Sequence, residues 1–302
     1  MPAIEIRDLR KAYGQTVAVA GVSLTVEEGE VVAVLGPNGA GKTTTVEILE
    51  GHRDRDSGDV RVLGVDPRRA RRDFRERIGI VLQSSGLDGV LTVEETVRLY
   101  AGLYPGPRPV AEVIALVGLD EKAGARVKTL SGGQRRRLDL ALGIVGDPEL
   151  IFLDEPTTGF DPSARRRSWE LIDALRGLGK TILLTTHFMD EAQVLADRVV
   201  VMVGGRIVAD ASPETIGGRA DGVARVGFRL PAGVGPADLP GPFAGAPVDA
   251  GRVDAAIDRP TEALHALTSW AVERGVELEA LEVTRPSLED VYLELTGEGG
   301  DG

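Results

Sequence analysis

The sequence predicts an α/β layered fold with a partly parallel sheet, followed by a small α+β appendage. Over residues 1–215, short apolar runs rich in β-branched residues alternate with stretches of helical periodicity. Strands interleaved with helices in this way are typical of a sheet covered by helices. Near residue 216 the composition changes to Gly, Pro and Ala, and a length of 302 residues is compatible with about two domains.

The elements of the first part follow from alternating or continuous apolar runs for strands and from helical spacing for helices. Strands are predicted at Ile4–Leu9, Val17–Val26, Glu30–Leu35, Val60–Leu63, Ile78–Leu82, Leu150–Leu153, Lys180–Thr185, Arg198–Val203 and Arg206–Asp210. Helices are predicted at Lys42–Leu49, Thr92–Tyr104, Glu112–Val117, Gly133–Val145, Ser163–Arg176 and Met189–Ala196. Thr92 and Glu95 have the spacing of a capping box. Residues 86–145 are mostly helical, so we expect a helical insertion between two strands of the sheet.

Residues 216–302 are predicted to form an accessory domain. Residues 217–251 contain many Gly and Pro and few bulky side chains, so we expect loops or edge strands there. Residues 261–275 and 287–295 have the periodicity of amphipathic helices, and a strand is predicted between them at Val276–Val283. The alternative for this region is a partly disordered tail.

Composition and charge exclude several classes of protein. The chain contains 0 Cys, which excludes a disulfide framework, a thiolate metal site and a cysteine nucleophile. No segment reaches the ~18 consecutive apolar residues of a membrane span, and the first residues do not resemble a secretory signal, so a cytoplasmic protein is expected. The net charge of −12 argues against broad nucleic-acid binding. Arginine clusters at residues 68–72, 135–137 and 165–167 are interpreted as solvated helix faces, and no nucleic-acid partner is expected.

A glycine-rich loop before the helix at Lys42 predicts a phosphate-binding site. Gly36-Pro37-Asn38-Gly39-Ala40-Gly41-Lys42-Thr43 matches G-x-x-x-x-G-K-[ST] and lies between a strand and a helix, as the motif requires. Glycines let several backbone N–H groups point at one anion, and the helix adds the positive end of its dipole. Lys42 is expected to bind the β- and γ-phosphates and Thr43 to coordinate Mg²⁺. The alternative is a glycine-rich turn without a ligand.

Two further groups of polar residues follow predicted buried strands. Asp154 and Glu155 follow Leu150–Leu153, and His187 follows the next strand along the chain. Ligands bind at the carboxyl ends of parallel strands, where Asp154 suits a Mg²⁺ site and Glu155 suits activation of the attacking water. His187 could contact the γ-phosphate or orient the water. A capping or surface role is the alternative for an isolated histidine.

The segment Leu130-Ser131-Gly132-Gly133-Gln134 precedes a predicted helix and has the features of a second anion-binding site. Ser131 suits the N-cap, and the glycines permit close approach to exposed backbone N–H groups. Taken alone, the segment is more typical of an ordinary capped helix.

Together, these motifs resemble those of the ATP-binding cassette (ABC) ATPases in order and spacing, over residues 1 to about 215. The resemblance implies a P-loop NTPase core of the RecA-like type, with an antiparallel β subdomain and a helical subdomain at about residues 86–145. Within it, Gln83 matches the Q-loop position and Asp161 the D-loop position of the family. Phe160 departs from the usual leucine, which is expected to adjust dimer packing without loss of activity.

The resemblance also implies the site residues. ATP would be bound in a head-to-tail dimer, with Mg²⁺ as its companion ion. The implied nucleotide-binding residues are Tyr13, whose ring would stack on adenine, then Gly36, Pro37, Asn38, Gly39, Ala40, Gly41, Lys42, Thr43 and Thr44, and finally Ser131, Gly132, Gly133, Gln134 and Asp161. The implied metal-binding residues are Thr43, Gln83 and Asp154, and the implied catalytic residues are Glu155, His187, Lys42 and Gln83.

The chain further resembles the drug-resistance ATP-binding branch of the family, because it has a single cassette and the ending Arg285–Leu293. This resemblance implies ATP-driven export of drugs, antibiotics or other hydrophobic compounds. The implied partners are a separate transmembrane permease and a second copy of the chain, at the inner face of the cell membrane. One alternative is a soluble ABC ATPase that acts on the ribosome or DNA. Another is a non-hydrolysing nucleotide-binding regulator, against which Lys42, Glu155 and His187 argue.

Overall fold

The computed structural model describes residues 2–69, 71–81, 86–87, 89–216, 224–231, 233–284 and 287–296. The chain divides into two compact units, Met1–Pro213 and Glu214–Gly302. Among the residues described, no helix is both long enough and apolar enough to cross a membrane.

The first unit is built on two sheets. Its strands are β1 (Pro2–Tyr13), β2 (Thr16–Glu27), β3 (Val31–Leu35), β4 (Ser57–Val62), β5 (Ile78–Val81), β6 (Leu150–Asp154), β7 (Thr181–Thr185), β8 (Arg198–Val203) and β9 (Arg206–Ala211). The larger sheet has the order β5-β6-β7-β3-β8-β9. Its strands are parallel except β9, which pairs antiparallel with β8. Strands β3 and β7 are buried throughout, which explains why their sequences are continuous apolar runs.

The smaller sheet is antiparallel, with the order β2-β1-β4. Side chains from its three strands share one hydrophobic core with the first helix and with one face of the larger sheet, where Val32, Phe152 and Leu183 are buried. Apolar residues on one face of each sheet therefore form the layer that joins them, as a layered fold requires.

The helices of this unit are α1 (Lys42–Leu49), α2 (Arg72–Arg77), α3 (Val93–Ala101), α4 (Val110–Leu116), α5 (Gly132–Ile144), α6 (Pro162–Gly177) and α7 (Met189–Leu195). Helices α3, α4 and α5 contact one another and lie between β5 and β6 in the sequence, as predicted for the helical insertion. The predicted capping box of Thr92 and Glu95 is present at the start of α3. Leu82, the last residue of a predicted strand, lies outside the described residues.

The second unit has a four-stranded antiparallel sheet and two helices. Its elements are β10 (Ala224–Arg229), β11 (Val248–Asp249), β12 (Arg252–Ile257), α8 (Pro260–Arg274), β13 (Glu282–Thr284) and α9 (Leu288–Thr296). The strand order is β11-β12-β10-β13. Phe228 of β10, Val253 of β12 and Leu267 of α8 are fully buried in one core.

The structure corrects the sequence prediction in this unit. We expected loops or edge strands over residues 217–251, but β10 lies between two partner strands in the sheet. Gly227 and the two arginines of β10 dilute its apolar pattern, although Val226 and Phe228 are buried. Strand β12 was not predicted at all. The strand predicted at Val276–Val283 is present only as Glu282–Thr284, although the carbonyl of Glu279 still accepts from the N–H of Arg229 on β10 at 2.9 Å.

Candidate nucleotide-binding and catalytic site

The phosphate loop connects β3 to α1, and its backbone needs glycine. Gly39 and Gly41 have φ values of 82° and 97°, in the left-handed region that other residues avoid. A Cβ on Gly41, which is the N-cap residue of α1, would collide with the backbone carbonyl of Ala18 on β2. The last glycine of the motif is therefore required by the protein's own packing as well as by any bound phosphate.

Backbone hydrogen bonds hold the loop against neighbouring strands. The N–H of Gly205, in the turn between β8 and β9, donates to the carbonyl of Ala40 at 3.1 Å. The carbonyl of Gly205 accepts from the N–H of Ala20 on β2 at 2.8 Å. The loop is thus fixed to both sheets, which preorganises its N–H groups for an anion.

The ammonium group of Lys42 is enclosed by the loop. Its Nζ donates to the carbonyls of Gly36 at 2.5 Å and Pro37 at 3.2 Å, and the residue is only 7% exposed. Burial lowers the pKa of Lys42, while the negative charges of Glu155 and Asp154 act in the opposite direction. The next residue, Thr43, is exposed on the first turn of α1. A cation and an exposed hydroxyl therefore stand at the start of the helix, as the motif predicts.

The carboxylates and the histidine lie at the same edge of the sheet as the phosphate loop. Asp154 of β6 pairs with Thr185 of β7, and Thr185 pairs on its other side with Val34 of β3. The hydroxyl of Thr185 donates to Oδ1 of Asp154 at 2.5 Å and accepts from the N–H of Glu155 at 3.2 Å. The sequence analysis assigned no role to Thr185, because its place beside Asp154 depends on the pairing of β6 with β7.

Glu155 has an unusual backbone and two polar neighbours. Its φ is 46°, which is uncommon for a residue with a side chain, and it turns the chain away from β6. The hydroxyl of Thr158 donates to its Oε2 at 3.0 Å, and Nδ1 of His187 lies 3.5 Å from its Oε1. The structure therefore brings together the two side chains that the sequence predicts to act on the attacking water.

Arg136, on α5, contacts the same turn. Its guanidinium donates to the carbonyls of Asp154 at 3.0 Å, Glu155 at 3.4 Å and Pro156 at 3.1 Å, and the residue is 7% exposed. The prediction that residues 135–137 form a solvated face is therefore wrong for Arg136. Helical periodicity could have found it, because Arg136 lies one turn from the buried Leu140 on the same face.

The segment Leu130–Gln134 forms the capped start of α5. The hydroxyl of Ser131 accepts from the N–H of Gln134 at 3.3 Å, and the side chain of Gln134 accepts from the N–H of Ser131 at 2.9 Å. Ser131 and Gly132 are exposed, while Gly133 and Gln134 are half-buried. Within a single chain the segment is a capped helix, and its exposed N-terminal turn is accessible to a ligand held elsewhere.

Three other residues predicted to belong to the site are Tyr13, Asp161 and Gln83. Tyr13 is 41% exposed, with Nζ of Lys11 and Cζ of Arg53 at 5.5 and 5.2 Å from its ring centroid. The carboxylate of Asp161 caps α6, and its hydrogen bond with the Ser163 hydroxyl is the main cause that lowers its pKa. Gln83 lies outside the described residues, so its predicted metal-binding and catalytic roles stay predictions.

Comparison with known proteins identifies the family. The family model for ABC transporters matches residues 19–158, and a model for the C-terminal domain of ABC transporter domain-containing proteins matches residues 224–287. Over 308 aligned residues, the chain is 39% identical to the daunorubicin resistance ATP-binding protein DrrA3 of Streptomyces coeruleorubidus, covering 98% of this chain and 96% of that protein. The chain belongs to the ABC transporter family. This ABC protein is an ATPase subunit of that family, as the sequence predicts.

Other similar proteins support the same family assignment. This ABC ATPase is 45% identical to the Nod factor export ATP-binding protein I of Paraburkholderia xenovorans over 71% of its own length and 72% of that protein. A dimeric ATP-binding cassette in a post-hydrolysis state, bound to ADP and Pi, matches with a TM-score of 0.63 at 25% identity, covering 69% of this chain and 98% of that one. A cassette in an ADP conformation matches in fold with a TM-score of 0.64 at 24% identity, covering 71% and 92%. The predicted P-loop NTPase fold is therefore confirmed.

Proposed function

We propose that this ABC ATPase binds and hydrolyses ATP to power an exporter of drugs, antibiotics or other hydrophobic compounds. Its partner would be a separate transmembrane permease, which would hold it at the inner face of the cell membrane. The observation that carries the proposal is the convergence of the phosphate loop, the Asp154–Glu155 turn and His187 at one edge of the sheet. Two relatives bear the names of a daunorubicin resistance protein and a Nod factor export protein, which supports export as the direction of transport.

The phosphate loop would bind the nucleotide. Its N–H groups would donate to the phosphates at the start of α1, and Lys42 would exchange its bonds with the loop carbonyls for bonds with the β- and γ-phosphates. Tyr13 would stack on adenine. The hydroxyl of Thr43 and the carboxylate of Asp154 suit Mg²⁺, because this ion prefers oxygen ligands and is commonly bound by protein oxygens together with substrate phosphates. When bound, the ion would neutralise charge on the phosphates, and Thr185 would keep Asp154 oriented toward it.

Glu155 and His187 would act on the water. The water oxygen attacks the γ-phosphorus, the bond between that phosphorus and the bridging oxygen breaks, and the water proton moves to Glu155. Thr158 and His187 both contact the carboxylate of Glu155, so they hold it in one orientation. The products are ADP and inorganic phosphate.

We further propose that two copies close head to tail around two ATP molecules, and that residues 216–302 form an accessory domain outside this ATPase unit. The exposed start of α5, residues 131–134, would contact the γ-phosphate of the ATP held by the other copy. Asp161 would join the same interface. Hydrolysis would remove the bridging phosphate and release the dimer, which is a population shift driven by differential contacts.

The substitution Glu155→Gln tests the mechanism. It removes the proton acceptor but keeps the shape of the side chain, so turnover should fall by about 10²–10⁴-fold while ATP binding remains. An ATP-dependent dimer should then accumulate, which light scattering after size exclusion would detect. Glu170→Gln, an exposed substitution on α6, is the matched control and should behave as wild type. Unchanged turnover in Glu155→Gln would contradict the assigned role.

Export is tested by purification from membranes. A tagged chain should bring down a membrane protein with several spans, and removal of that protein should stop both export and membrane attachment. Recovery of ribosomes or DNA in place of a membrane protein would contradict the exporter and favour the soluble alternative.

A further inference from the structure

We propose that Arg136 is a positioning residue that couples the two ATP sites of the dimer. It would do so by linking the start of α5 to the turn that carries Glu155 in the same subunit. The inference rests on the proposed dimer, and it assigns a role to a residue that is neither a ligand of ATP nor in contact with its phosphates in that proposal.

Arg136 links α5 to the turn after β6 through a group of backbone carbonyls. One guanidinium spans three successive carbonyls, those of Asp154, Glu155 and Pro156, at the point where the chain leaves β6. Glu155 has a left-handed backbone there, so these carbonyls do not continue the regular ladder of the strand. The fork of donors on arginine suits such an array, whereas a single ammonium does not.

Arg136 carries its charge at a buried position. The side chain is buried, and burial lowers its pKa, while the charges of Asp139 and Asp154 favour the cation. A buried cation is expensive unless it is paired and hydrogen-bonded. An apolar residue could fill the same volume on the buried face of α5, so the presence of a guanidinium indicates that its hydrogen bonds to the turn serve a purpose beyond packing.

The link would run from the ATP held by one subunit to Glu155 of the other subunit. In the proposed dimer, residues 131–134 contact the ATP of the other subunit, whereas Glu155 acts on the ATP of its own subunit. Arg136 lies within the first two turns of α5 (Gly132–Ile144), so a shift at the helix start moves the guanidinium and the three carbonyls that accept from it. ATP at one site would thus adjust Glu155 at the other, and any effect of this link on ATP affinity would be reciprocal between the two sites.

A neighbouring residue provides a matched control. Arg137 is on the same helix and also donates to two backbone carbonyls, those of Val117 and Gly118, at 3.3 and 2.8 Å. Those carbonyls follow α4 in the helical insertion and belong to no part of the proposed site. Arg137→Met therefore removes similar hydrogen bonds without touching the Asp154–Pro156 turn.

The experiment uses the full chain and compares Arg136→Met, Arg136→Lys and Arg137→Met with wild type. Steady-state ATPase rates are measured across ATP concentrations, together with ATP affinity at low protein concentration and thermal unfolding. We expect a Hill coefficient above 1 in wild type and close to 1 in both Arg136 variants. Their kcat should fall by up to about 10²-fold, which is the effect of misplacing a catalytic group by about 1 Å. ATP affinity of the monomer should stay within about twofold, because the three carbonyls described above as acceptors for Arg136 belong to the Asp154–Pro156 turn and not to the phosphate loop. Arg137→Met should keep the wild-type Hill coefficient and kcat.

The outcomes separate this inference from the proposed function. If Glu155→Gln forms an ATP-dependent dimer and either Arg136 variant folds and keeps wild-type cooperativity, the coupling role of Arg136 is overturned while the dimer stands. If Glu155→Gln remains monomeric in ATP, the proposed dimer fails and the inference fails with it. Arg136→Lys retains the buried charge, so it gives a folded test even where the Met variant unfolds.

Discussion

Substitution of Thr185 by valine would test how Asp154 and Glu155 are held at the edge of the larger sheet. Valine has nearly the same shape as threonine but has no hydroxyl. The hydroxyl of Thr185 is the donor to Oδ1 of Asp154 and the acceptor for the N–H of Glu155, and the residue is 1% exposed. The substitution therefore removes one buried hydrogen bond to a charged group and one to the backbone, without opening a cavity.

The magnitude follows from these two bonds. A hydrogen bond to a charged group contributes about 1.5–3 kcal/mol, and an unsatisfied buried partner adds to the loss when it is removed. We expect the free energy of unfolding to fall by about 2–3 kcal/mol. If Asp154 is a metal ligand, Thr185 orients it through the hydrogen bond to Oδ1. Loss of such a partner typically weakens metal affinity by about 10–100-fold.

The assay is ATPase activity across Mg²⁺ concentrations at saturating ATP, combined with urea denaturation. Thr181→Val is the matched control, because Thr181 is buried at the opposite end of β7, where its hydroxyl accepts from the N–H of Gly29 at 2.9 Å. The control should lose stability but keep the wild-type Mg²⁺ dependence. A Thr185→Val protein with the wild-type Mg²⁺ dependence would refute the proposed orientation of Asp154.

Three further predictions concern single residues. Lys42→Ala should lose most nucleotide affinity in a binding titration, and near-normal ATP binding would count against the phosphate-loop assignment. Burial raises the pKa of Glu50 to about 8, so its native pKa lies above the unfolded value of 4.5 and the free energy of unfolding should decrease as pH rises between them, by up to about 1.4 kcal/mol per pH unit. Glu50→Gln should remove this slope in urea denaturation at pH 5, 7 and 9, and an unchanged slope would contradict the burial argument. Tyr13→Ala should weaken ATP binding by about 1–3 kcal/mol, whereas Tyr13→Phe should retain it, because stacking needs the ring and not the hydroxyl.

Much of the first unit was predictable because its determinants are local. The phosphate loop needs left-handed glycines directly before a helix, and Gly41 shows that requirement within a few residues of sequence. Likewise, Asp154 and His187 follow apolar strands, and parallel strands bring their carboxyl ends together. The family resemblance added Tyr13 and Asp161, which their own surroundings would not have singled out.

What the sequence did not reveal depends on contacts between distant residues. Arg136 and the carbonyls it binds are about twenty positions apart, and nothing in the arginine cluster shows which member faces inward except the helical phase. Thr185 acquires its role only because β6 and β7 are neighbours in register. In the second unit, β10 obtains its partners from segments that follow it by some thirty and sixty residues, so no local signal identifies it as a central strand.

That arrangement of β10 has a consequence for synthesis of the chain. A ribosome releases β10 (Ala224–Arg229) well before β12 (Arg252–Ile257), and β13 (Glu282–Thr284) follows later still. Before β12 is made, both edges of β10 have unpaired backbone donors and acceptors, and before β13 is made, one edge still does. Such edges pair readily with other chains. We expect nascent or truncated chains ending before Glu282 to aggregate or to require a chaperone, because β13 covers the edge of β10 opposite β12.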